Sequence, residues 1–107
     1  MITAYTCEKL TDAVISLATS AAPLRRRLEN AIIAAAMLDE NDFNPEHRDR
    51  WSEIRHSLTK EEPVSDEGRF RASISRMSTE EQEEVARCIF NLFVDVDRAF
   101  LEQGLRK

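Results

Sequence analysis

"STEEQEEVARCIFNLFVDVDRAFLEQG", residues 78–104, decides the fold. Ser78 and Glu81 form a capping-box pair, in which each side chain satisfies a backbone N–H at a helix start. "TEEQEE" adds carboxylates at the positive end of the helix dipole. Val85, Ile89, Leu92, Val96 and Ala99 then recur at three- and four-residue spacing, a helical seam ending near Gly104. Phe90, Phe93, Val94, Phe100 and Leu101 carry the apolar surface well beyond that seam. A helix is therefore predicted over about 79–103, roughly 25 residues and about 37 Å at 1.5 Å per residue. A helix this long, and apolar on more than one face, is either central to a bundle or shared with a second subunit.

The rest of the chain reads in the same period. Cys7, Leu10, Val14, Leu17 and Ala21 predict an amphipathic helix over about 4–20. Pro23 suits the first turn of a second helix, about 23–38, whose stripe is Leu24, Leu28, Ala31, Ile32, Ala35 and Leu38. "DEND" ends it. Asn44 as N-cap, Pro45 at the first helical position and Glu46 in the first turn open a third, about 45–58, with a thin stripe of Trp51, Ile54 and Leu58. "TKEEPVSDEG", the longest polar stretch, reads as a loop. A short fourth helix is expected over about 67–76, with Phe70, Ile74 and Met77 as its apolar contacts.

With only 2 glycines and 3 prolines among 107 residues, 42% hydrophobic and 33% charged, the composition fits one helical domain and not a sandwich, a barrel or a disordered chain. The expected architecture is all-α: a small bundle of four to five helices with a long, broadly apolar C-terminal helix. The two cysteines, Cys7 and Cys88, form no CxxC and fall on apolar stripes, as reduced thiols of a cytoplasmic protein do. "AVISLATSAA" follows Glu8, Lys9 and Asp12 instead of a basic leader, so no cleaved signal is expected. No run approaches the ~20 apolar residues that span a membrane.

"HRDRWSEIRH", residues 47–56, looks most like chemistry. At about 100° per residue His47 and His56 point in opposite directions on one helix, so they share no metal. Asp49, Glu53 and His56 do share a face, and "EIRH" is an E-x-x-H of the type that di-iron bundles use. Such a site needs a second E-x-x-H, which the chain lacks. That face lies away from Trp51 and Leu58 and is expected to be solvated. "HRD" lacks the L-x-x-x-N continuation of a kinase catalytic loop, and Asp39–Asn41 lacks the glycine and glutamate of a calcium loop. No serine or cysteine has a paired base on any predicted face. No catalytic, metal or cofactor residue is assigned, and the expectation is a protein without enzymatic activity.

A net charge of −5 is the wrong sign for a domain that binds a phosphate backbone. Local basic clusters exist at Arg25, Arg26 and Arg27 and at Arg69, Arg71 and Arg76. The second and third helices can be drawn as a helix-turn-helix, but their link is long and acidic and the second helix carries Glu46, Asp49 and Glu53.

Interaction chemistry remains. Arg25–Arg27 occupy the first turn of the second helix, where the dipole opposes cations. They are expected either to pair locally, Arg25 with Glu29, or to meet carboxylates of a partner. Trp51 is a core anchor or an interface hot spot. Phe90, Phe93, Val94, Phe100 and Leu101 are more apolar surface than one small bundle hides, and a homodimer through residues 79–103 would cover them. Antiparallel pairing would bring "EEQEE" of one subunit near Arg98 and Arg106 of the other. In composition alone the chain resembles the small acidic helical proteins that bacteria and phages use as regulators, antitoxins or inhibitors. The expected function is binding another, unidentified protein. A DNA-associated transcriptional regulator is the alternative, and a carboxylate/histidine metalloprotein a distant third.

Overall fold

The long C-terminal helix starts as its sequence dictates. Ser78 Oγ accepts from the Glu81 backbone N–H at 3.1 Å, and Glu81 Oε1 accepts from the Ser78 N–H at 3.0 Å. The computed structural model describes residues 1–62 and 68–105. It is all-α, with helices α1 (Ala4–Thr19), α2 (Leu24–Ala35), α3 (Pro45–Thr59), α4 (Gly68–Ser75) and α5 (Thr79–Leu105). A 3-10 turn at Glu40–Asp42 joins α2 to α3, and no strand occurs among the described residues.

α5 runs antiparallel to both α1 and α3. Gln103 near the end of α5 donates to the Ile2 carbonyl at 2.8 Å and accepts from the Ile2 N–H at 3.1 Å, pinning the start of α1 to the end of α5. Arg50 of α3 pairs with Asp95 of α5 at 2.7 Å, while Ser57 of α3 lies beside Glu84 further back along α5. Between these helices one core runs through the molecule. It is built from Leu10, Leu28, Ile32, Trp51, Leu58, Ile74, Ile89, Leu92 and Val96, all essentially inaccessible.

Two helix ends differ from the sequence expectation. α2 stops at Ala35, not Leu38. Beyond it the chain turns so that the buried Leu38 can offer its carbonyl to the Trp51 indole N–H (3.1 Å) and to Arg55 (3.1 Å). Arg55 also reaches the Ala36 carbonyl at 2.9 Å. Two side chains of α3 thus satisfy carbonyls that the end of α2 leaves open. At the other end, Gly104 does not close α5, which runs on to Leu105. Of the fourth helix as expected, residue 67 lies outside the described residues; α4 begins at Gly68, whose φ of 77° an L side chain rarely adopts.

Candidate functional site

Inward on α5 lie Ile89, Leu92 and Val96, fully buried, with Val85, Cys88 and Ala99 packed beside them. Phe93 and Phe100, expected as interface residues, are half-buried and packed against that same core. Their packing helps to seal the bundle. The other three candidates behave differently. Phe90 is 48% exposed, Leu101 is 61% exposed, and Val94 is half-buried between them. At 100° per residue these three point away from Leu92, and the exposed Leu105 continues their line. The five-residue set therefore splits into two sealing residues and a three-residue outward stripe.

Phe90 also lines a shallow groove of about 390 Å³ between α1, α2 and α5, together with the apolar Val14, Leu17, Ala18, Leu24 and Ala86 and with Arg27 and Arg87. Its ring meets Phe93 with centroids 6.4 Å apart, so the exposed ring rests on the half-buried one. The apolar surface is thereby continuous from the stripe to the groove.

The three consecutive arginines divide as well. Arg27 turns back onto α1, donating from Nε to the Ala22 carbonyl and from a terminal nitrogen to the Leu17 carbonyl, both at 2.8 Å. It ties the last turn of α1 to the link before α2, so its guanidinium is already engaged within the chain. Arg25 and Arg26 are exposed, and neither lies within 4.0 Å of a carboxylate among the described residues. The expected Arg25–Glu29 pair does not form. Glu29 is only 9% exposed and faces Arg71 of α4 instead, at 3.9 Å. Arg25, Arg26, Glu29, Arg71 and Ser75 share the walls of one small cavity of about 190 Å³.

Within "HRDRWSEIRH" the structure assigns each side chain a place. Trp51 is 1% exposed, tilted against Phe43 at 5.4 Å between centroids, and has no surface to offer. Its candidacy as a partner contact fails because its indole serves the α2–α3 junction. Asp49, Glu53 and His56 are exposed, and no group of three potential metal ligands occurs among the described residues. His47 is buried at the start of α3, its Nδ1 without a hydrogen-bond partner and its Nε2 4.0 Å from Glu46. Its position one turn before Trp51 was the only signal in the sequence for that burial.

The thiols are half-buried and far from nucleophile geometry. Burial pushes the Cys7 thiol above its ordinary value, and the charge of Asp97 adds to this. Burial does the same to Cys88, reinforced by Glu84, whose carboxylate lies 3.7 Å from the sulfur. A raised value keeps both as thiols, the less reactive form.

No helix among the described residues is long and apolar enough to cross a membrane. No family model, curated protein or solved structure matches the chain.

Proposed function

We propose that the protein is a non-enzymatic interaction module of the cytoplasm that pairs with a second copy of itself and acts as a small regulator by binding another protein. One observation carries this reading: α5 has an outward apolar stripe, Phe90, Val94 and Leu101, on the side away from the seam that builds the core. A lone exposed leucine needs no explanation, but an apolar line along one helix, continuous with a groove, marks an interface. Each such side chain gains about 1.5–3 kcal/mol when fully buried.

The charges beside the stripe favour a second copy running antiparallel. Arg98 and Glu84 lie seven positions either side of Asn91 and, at about 100° per residue, within ~40° of one flank. A two-fold axis at the level of Asn91 brings Arg98 level with Glu84 of the other copy and sets the two Phe90 rings side by side. Arg106, the other cation expected there, lies outside the described residues.

Directed cross-linking tests the pairing, in a background where Cys7 and Cys88 are replaced by serine. Phe90→Cys, close to the axis, is expected to form an intermolecular disulfide under mild oxidation, and Leu101→Cys is not. Equal cross-linking at both positions points to parallel pairing and excludes the axis at Asn91. Cross-linking at neither rejects self-association through this stripe.

A further inference from the structure

A second surface carries a different chemistry. α2 and α4 flank a groove of about 260 Å³ lined by Arg26, Glu29, Ile33, Arg69, Phe70 and Arg71. The smaller cavity that adds Arg25 shares Arg26, Glu29 and Arg71 with it. Ile33, at its rim, is 65% exposed, and Phe70 is half-buried. Four arginines thus surround two apolar side chains in a chain of net charge −5.

Two of these cations are placed against their own interest. Arg25 and Arg26 stand in the first turn of α2, where the dipole is positive, and neither has a carboxylate partner among the described residues. Arg27, their neighbour, is explained by its bonds to α1. Arg69 is occupied by Glu62. Among the described residues Glu29 answers Arg71 alone, at 3.9 Å, from a position where it is nearly inaccessible. Among the described residues, positive charge therefore exceeds negative charge around the groove, and Arg25 and Arg26 carry the excess.

We infer that this groove seats an acidic amphipathic segment of a partner protein, an apolar side chain of the partner entering between Ile33 and Phe70 and its carboxylates meeting Arg25, Arg26 and Arg71. The charge complementarity selects an acidic partner. The apolar lining, with Glu29 on the floor, favours side chains bearing single, separated carboxylates over a run of phosphates. The inference rests on the reading of the chain as a protein-binding module, and it names a surface that shares no residue with the stripe on α5.

A displayed library of random 16-residue peptides, selected on the intact chain, tests it. Enriched peptides are expected to be acidic, with apolar residues three or four apart. Their binding should weaken about tenfold or more in Arg26→Glu/Arg71→Glu and fall with added salt. The neutral pair Arg26→Gln/Arg71→Gln guards against misfolding and is expected to show the same direction, with unchanged circular dichroism. The peptides should still bind Phe90→Asp, so failure of self-association and failure of this site give different results. Absence of enrichment, enrichment of neutral or basic peptides, or binding indifferent to both double variants overturns the proposal. So does a 12-nucleotide oligo(dT) probe that binds more tightly than the best peptide and is lost in the same variants, which would assign the groove to nucleic acid. A structure of the self-associated chain in which a second copy's α5 fills the groove likewise overturns it.

Discussion

Arg27→Ala isolates what a single arginine does in a run of three. Arg27 donates to the Leu17 carbonyl in the last turn of α1 and to the Ala22 carbonyl in the link that follows, both at 2.8 Å, through a planar fork that suits both at once. A hydrogen bond from a charged donor contributes about 1.5–3 kcal/mol when buried. Arg27 is half-exposed, so water recovers part of each bond, and the expected loss for the pair is about 1–2 kcal/mol. At a urea slope of about 1–1.5 kcal/mol/M for a domain of this size, the unfolding midpoint falls by about 1 M. Arg26→Ala, on an exposed side chain, is expected to change stability by no more than about 0.5 kcal/mol. Arg27→Lys should recover less than half of the loss, because an ammonium cannot reproduce the fork. Urea curves followed by circular dichroism give all three numbers. Arg27→Ala and Arg26→Ala with indistinguishable midpoints would refute the capping role and return Arg27 to the partner-binding surface.

Further expectations concern α5 and the thiols. Phe93→Asp or Phe100→Asp places a charge against the core and should lower stability by about 2 kcal/mol or more, whereas Phe90→Asp should leave the stability of the subunit nearly unchanged; thermal melts at low concentration compare them. Cys7 and Cys88 should react with iodoacetamide at pH 8 at least ~3-fold more slowly in the folded chain than in urea, since both are held as thiols. The Ser78 N–H and hydroxyl hold the Glu81 carboxyl below its ordinary value. The stability this contributes is present above the ordinary carboxylate range and is lost as the pH falls through the lowered value. Glu81→Gln should therefore flatten the acid limb of a stability–pH curve while leaving its neutral region parallel.

What could be read from the sequence follows from what is local. The capping box at Ser78–Glu81 and the Val85–Ile89–Leu92–Val96 seam need no knowledge of any other segment, and the structure contains both. The end of α2 was not legible, because Leu38 leaves the helix only to reach Trp51 and Arg55, residues more than a dozen positions away. The same holds for Arg27: its first-turn position reads as an electrostatic liability until the end of α1 and the link after it place two carbonyls in front of it. The division of Phe93 and Phe100 from Phe90 and Leu101 depends on which flank of α5 the other helices cover, and periodicity within α5 alone does not show that. Glu29 was read as the local partner of Arg25 for a similar reason, since the arginine it faces, Arg71, comes from another helix.

Multi-angle light scattering across a concentration series tests the central claim, self-association through the outward face of α5, most directly. The account predicts a mass near twice 12.3 kDa at micromolar concentration for the unmodified chain, and a monomer with unchanged helicity for the Phe90→Asp/Leu101→Asp variant. A single 12.3 kDa species at every concentration up to the millimolar range would contradict it.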